Sequence, residues 1–290
     1  MKKKLKILIL ITIVGILSAF IITLLKWNSQ PYYDKYQFIS HALGGIDNLD
    51  YTNSQEALDY SYSRGSRLME VDLLYTSDGH LICRHNWNQE LGDGFSKENI
   101  PDYETFMASK INGIYTTLDI ETIIQYAMDH PDVYFITDIK SYEFDICEAL
   151  EVIKNTAEKM GYSNLDKQFI IQVYSYEDYE RLSEEFSFQN YIFTLYRMKD
   201  ELEENGIDNI LDFCTEKDIK VVTLPKKYAT EEICSKLKEK NIKIYVYTID
   251  SKDTWSKLKA VGVDGIYTNY IYPSILNRWL VKMMTYFSAY

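Results

Sequence analysis

Prolines and glycines are scarce in this chain, five and twelve in 290 residues. That scarcity excludes a disordered or low-complexity protein, and no internal repeat is present. Cations are also in deficit: 31 lysines and arginines stand against 43 acids, a formal net charge of -12. A nucleic-acid partner, which needs a basic patch, is therefore set aside. The four cysteines, Cys83, Cys147, Cys214 and Cys234, form no C-x-x-C and match no zinc spacing. A chain of this length buries a sizeable core without staples, so these are expected as buried free thiols. One further absence is local: the run ILILITIVGILSAFIITLL, residues 7–25, holds no charge.

That run follows a basic leader, MKKKLK, residues 1–6. At ~1.5 Å per residue it crosses most of a ~30 Å hydrocarbon layer. A cleaved signal peptide has a shorter apolar core and a small-residue cleavage site. Lys26-Trp27-Asn28 offers no such site. The expectation is an uncleaved, single-pass anchor with its lysine-rich end in the cytoplasm. A linker at 26–35 would join it to a catalytic domain, residues 36–290, outside the cytoplasmic membrane.

Beyond the linker, strand and helix patterns alternate. Strands are read at 36–40, 67–74, 133–139, 169–173, 191–196, 219–225, 242–249 and 263–269. Helices are read at 53–65, capped by Asn53 or Ser54, near 118–129, capped by Thr116 with Asp119, and after each later strand. Residues 80–85 form a hairpin arm folded back through Asp78-Gly79. Residues 87–116 read as an insertion or long loop. With the hairpin arm set aside, eight strands alternate with helices, which predicts a (β/α)8 TIM barrel. A doubly wound sheet fits less well, because no glycine-rich phosphate loop follows the first strand. The apolar run at 272–290, with two cations, is expected as a last helix on the barrel, with a membrane-surface role as the alternative.

In a parallel barrel the chemistry collects where strands end. His41 ends the first strand, Glu70 and Asp72 sit two apart on the second, and His85 ends the hairpin arm. Asp138 and Lys140 end the third strand and Gln172 the fourth. Residues two apart on a strand share a face, so Glu70 and Asp72 would repel unless a cation lay between them. A hard divalent ion prefers such oxygen ligands, with Asp138 as a third. Two histidines beside it can exchange protons near neutral pH. Lys140 and the cation would offset phosphate charge, which suits attack at phosphorus.

These residues carry a resemblance. HALGG at 41–45, Glu70-Val71-Asp72, Thr76-Ser77-Asp78-Gly79 through His85, Asp138-Ile139-Lys140, Tyr247-Thr248-Ile249-Asp250 and the run from Gly262 to Asn269 occur in the order found in glycerophosphodiester phosphodiesterases. The resemblance to that family, which is related to phosphatidylinositol-specific phospholipase C, spans residues 36–270. It implies a metal-dependent TIM barrel in which His41 and His85 are general acid and base. It also implies that Glu70, Asp72 and Asp138 hold Ca2+ or Mg2+, and that a neighbouring substrate hydroxyl often attacks first.

The departures are specific. Ala42 stands where the family has a phosphate-contacting arginine, which would shift that contact to Arg84 or Lys140. Asp138 replaces a glutamate, Tyr247 a tryptophan and Asn269 an aspartate. Gln172, Tyr247 and Trp87 are expected to line the substrate pocket or fill core. The substrate implied is a glycerophosphodiester, a phospholipid head group or a glycerol-phosphate polymer. A barrel that binds a phospho-glycan or lipid head group without cleaving it is the alternative, and Ala42 is its support. A carboxylate-pair glycosidase is a third reading, distinguished by activity in chelator.

Overall fold

The computed structural model describes residues 2–139 and 144–288. Two compact units are present, Tyr36–Pro273 and a second made of Met1–Lys35 with Ser274–Tyr290.

The strands of the larger unit are β1 (Phe38–Ser40), β2 (Leu68–Tyr75), β3 (Leu81–Cys83), β4 (Lys110–Ile111), β5 (Tyr115–Thr116), β6 (Tyr134–Ile139), β7 (Phe169–Val173), β8 (Tyr191–Thr194), β9 (Val221–Pro225), β10 (Lys243–Tyr247) and β11 (Gly265–Thr268). Eight of them, β1, β2 and β6 to β11, form a parallel sheet that closes on itself through the β1–β11 and β1–β2 pairs. This is the expected TIM barrel. β3 runs antiparallel to the outer half of β2, Leu73 opposite Cys83 and Tyr75 opposite Leu81. The 87–116 insertion is not structureless: it holds a short helix, Tyr103–Ala108, and the β4–β5 hairpin.

The eight barrel strands are largely buried on both faces, so side chains alternate between the helix layer and the barrel interior. On β2, Met69, Val71 and Leu73 join the core with helix residues Ile123, Ile124, Leu150 and Ile153. The alternate positions, Leu68, Glu70 and Asp72, therefore turn inward. The same phase on β6 sends Phe135 and Ile139 to the core and Asp138 inward. Gly265 is required by this packing. A Cβ there would lie 2.2 Å from the Tyr245 ring, whose hydroxyl donates to the Tyr36 carbonyl.

Helix starts are set by side-chain caps. Ser54, Asp145, Ser175, Thr230 and Ser251 each accept a backbone N–H from the first turn of the following helix. Asp119 caps its helix alone, through Thr122 N, whereas Thr116 pairs in β5 opposite Lys110. The predicted Thr116–Asp119 box is thus corrected: Thr116 is taken by the hairpin. All four cysteines are buried free thiols, as expected.

In the smaller unit, the N-terminal helix spans Lys2–Ser29, and its stretch Lys4–Trp27 has the length and apolarity of a membrane span or signal sequence. The C-terminal helix, Ile275–Ser288, groups and makes contact with this N-terminal helix. The sequence reading had assigned it to the barrel.

Candidate active site

The register of neighbouring strands assembles the acids. Asp72 on β2 lies directly opposite Asp138 on β6, and Glu70 opposite Ile136. Both strands run in the same direction, so Glu70, Asp72 and Asp138 emerge on one interior face. Their ligand oxygens lie within 4.8 Å of one another. They are only 2%, 1% and 8% exposed. Three carboxylates so placed repel strongly in a low-dielectric interior. An all-oxygen set of this charge can hold a hard divalent cation.

The turn after β1 brings His41 to this cluster. His41–Leu43 is a single 3-10 turn in which Ala42 and Leu43 take positive φ, 49° and 65°. That geometry aims the Ala42 N–H at Glu70 Oε2, 2.5 Å away. At the position of the family arginine, the backbone amide meets an acid and the methyl group is fully buried.

The hairpin brings His85. Thr76 Oγ1 bonds Asp78 and receives the His80 N–H, which fixes the turn between β2 and β3. Arg84 N then bonds the Asp72 carbonyl, and His85 Nδ1 lies 2.8 Å from Asp72 Oδ1. A carboxylate only accepts, so His85 carries its proton on Nδ1 and keeps Nε2 for exchange. The other oxygen of Asp72 accepts from Asn53 Nδ2 at 2.9 Å, and Asn53 Oδ1 accepts the Asp72 N–H.

His41 is oriented differently. Asp250 Oδ2 only accepts, so the Asn269 atom 2.8 Å from it is the donating Nδ2. Asn269 Oδ1 therefore faces His41 Nδ1 at 3.0 Å and accepts its N–H, leaving Nε2 with a lone pair. Burial lowers the His41 pKa from its ordinary 6.5, outweighing the opposite pull of Asp72 and of the Asn269 hydrogen bond. The ring is thus neutral at pH 7. Tyr51 stands between the two imidazoles, its centroid 4.7 Å from His41 and 4.5 Å from His85.

A cavity of about 290 Å³ opens over these groups, lined by His41, His85, Glu70, Asp138, Gln172 and Tyr247 among others. Four further tyrosines, Tyr51, Tyr174, Tyr196 and Tyr267, contribute to its wall. Tyr267 donates to Gln172 Oε1, and Gln172 Nε2 donates to Tyr174. Burial pushes the Tyr247 hydroxyl up, so it stays protonated.

Arg84, expected at the phosphate, lies elsewhere, and Trp87 takes the core position that was one of its two expected places. Arg84 is 1% exposed, paired with Asp93 at 2.6 Å and donating to the Asn86 and Gln89 carbonyls. Its guanidinium lies 4.7 Å from the Trp87 ring centroid. It organises the loop after His85, and all three nitrogens are committed to protein acceptors. Trp87 donates to the Tyr75 carbonyl and packs with Leu74, Ile82 and Phe106, which makes it core. Lys140 falls outside the described residues.

Asn53, Tyr51 and the Asn269–Asp250 pair were missed as site residues. A signal existed for Asn53: Ser54 suffices as the helix cap, bonding Ala57 N, so Asn53 was free for another partner. Asn269 and Asp250 were noted only as motif positions, because their convergence on His41 joins residues 228 apart in sequence.

Residues 44–272 match the Glycerophosphoryl diester phosphodiesterase family. No curated relative matches the chain by sequence. Among solved structures, the chain is similar to a glycerophosphodiester phosphodiesterase from Parabacteroides distasonis, with TM-score 0.60, 14% identity, and coverage of 88% of this chain and 98% of that one. A second, from Thermotoga maritima, gives TM-score 0.56 at 19% identity, covering 85% and 97%. A phosphodiesterase from Oleispira antarctica, in complex with the product sn-glycerol-3-phosphate, gives 0.59 at 14% identity, covering 88% and 98%.

Proposed function

The chain belongs to the glycerophosphoryl diester phosphodiesterase family, and from that membership we propose that it hydrolyses glycerophosphodiesters, or related phospholipid and envelope-polymer phosphodiesters, by paired histidine acid–base catalysis. The observation that carries this is the asymmetric orientation of two imidazoles beside three buried carboxylates. His41, neutral and held by an amide, takes the proton of the attacking hydroxyl at Nε2. His85, as the imidazolium whose Nδ1–H is held by Asp72, delivers its Nε2 proton to the departing alcohol oxygen. Glu70, Asp72 and Asp138 would hold Ca2+ or Mg2+, which when bound offsets the phosphate charge. Asn53 positions Asp72, and the Asp250–Asn269 pair fixes the His41 tautomer. Gln172, Tyr247 and Tyr267 orient the substrate, and Lys140 supplies a cation to the phosphate. The N-terminal helix serves as an uncleaved anchor that holds the barrel on the outer face of the cytoplasmic membrane.

The test is an alcohol-release assay on glycerophosphodiesters and glycerol-phosphate polymers, with and without chelator. Release that stops in EDTA and returns with Ca2+ or Mg2+ is expected. Substrate binding without release, unchanged by His41→Ala, would support the non-cleaving alternative instead.

A further inference from the structure

The C-terminal helix, Ile275–Ser288, has two apolar faces where a helix at a water boundary has one. Val281 and Met284 are buried. A separate stripe, Leu276, Trp279, Leu280 and Met283, recurs at i, i+3, i+4 and i+7. Within it Leu276 is 66% exposed and Trp279 61%, with Ile275 open beside them. Surface tryptophan and leucine occur singly on soluble proteins, but a continuous stripe of them marks a contact surface.

We propose that this stripe lies in the headgroup–acyl boundary of a lipid bilayer, so that the chain meets the membrane at both of its ends. Two observations choose lipid as the occupant. The helix touches the N-terminal helix, whose apolar side chains are exposed along the length of a membrane span. On the anchor reading proposed above, that helix lies in hydrocarbon, so its neighbour is within reach of the same boundary. Charge complements the stripe: Arg278 and Lys282 are the charged residues of 274–290, with no acid among them, in a chain of net charge -12. Cations bordering an apolar face with a tryptophan suit an anionic lipid surface.

The test uses the full chain in vesicles of phosphatidylglycerol and phosphatidylethanolamine. The four native cysteines are buried, so Leu280→Cys and Lys282→Cys each add one reactive thiol for an environment-sensitive fluorophore. A label at 280 should emit to the blue and resist aqueous iodide several-fold better than one at 282. It should also be quenched by lipids carrying a nitroxide near the headgroup. Independently, brominated acyl chains should quench wild-type tryptophan emission more than that of Trp279→Phe. Equal iodide access at 280 and 282 overturns the proposal. Protection at 280 without quenching by lipid also overturns it, because protein, such as a second copy of the chain, would then cover the stripe. Neither readout depends on catalysis, so an inactive enzyme leaves the result intact.

Discussion

The barrel unit and the terminal unit use the same residue types in opposite directions. In the barrel, apolar side chains face inward and the few buried charges have defined partners, such as Arg84 with Asp93 or Asp72 with His85 and Asn53. In the terminal unit, apolar side chains face outward along nearly the whole N-terminal helix and along one stripe of the C-terminal helix. The charge divides likewise. Residues 1–35 carry six lysines and one aspartate, and 274–290 carry two cations and no acid, so the chain's acidic excess belongs to the barrel. The lesson is about solvent. Burying an unpaired charge costs several kcal/mol, so interior acids of the barrel such as Glu70 and Asp72 accept hydrogen bonds from neighbouring donors. Among the described residues of the terminal unit few side chains are buried, Tyr32, Val281 and Met284 among them, and its exposed leucines become intelligible when the surroundings are hydrocarbon.

The sharpest way to break this contrast is to remove the barrel's proton carriers. His41→Ala and His85→Ala should each lower kcat by about 10²–10⁴-fold, measured as alcohol release at saturating cation, without lowering the melting temperature below that of the wild type by more than a few degrees. Retained activity in both would show that the imidazoles only pack.

Next in size is Arg84→Met. It strands Asp93 without its cation, and such a break costs about 3–5 kcal/mol, read from urea denaturation of the purified protein. A phosphate-binding Arg84 would instead raise KM and leave stability alone. Gly265→Ala follows, because a methyl 2.2 Å from the Tyr245 ring must displace it. Overpacking of this kind costs about 1–3 kcal/mol, and Tyr245→Leu in the same chain should recover part of it.

The smallest effect concerns pH. The His41 pKa is lowered below 6.5, so its neutral form persists further into acid than a free histidine's would. The His41 contribution to the acid limb of kcat/KM should therefore have its midpoint below pH 6.5. The linkage has the same sign. Between the folded pKa and 6.5 the unfolded chain binds more protons at this site, so His41 destabilises the fold as pH falls through that window. A stability–pH profile of His41→Gln should be flatter there than that of the wild type.

Much of the barrel was legible because its signals are local. FIIQV at 169–173 appears with the predicted bounds, and the helix expected after the 242–249 strand spans Lys252–Ala260. Continuous apolar runs and single capping residues need no distant partner to be recognised. The i, i+2 spacing of Glu70 and Asp72 likewise fixes one shared face before any fold is known. Arg84 shows the limit. A cation beside His85 invited a phosphate role, but its loop curls so that Asp93 and two carbonyls reach it first.

Sequence alone determined the alternation of strands and helices, the apolar N-terminal segment, and the residue types able to hold a cation and move protons. Each of these follows from periodicity or from the chemistry of a side chain. Tertiary structure decided which groups meet: the Asp72–Asp138 register, the Asp250–Asn269–His41 relay, the Tyr51 ring between the histidines, and the withdrawal of Arg84 and Trp87 into the core. The physical reason is that a hydrogen bond or ion pair forms with whatever acceptor closure of the barrel brings within about 3 Å, and that proximity is a property of the closed chain.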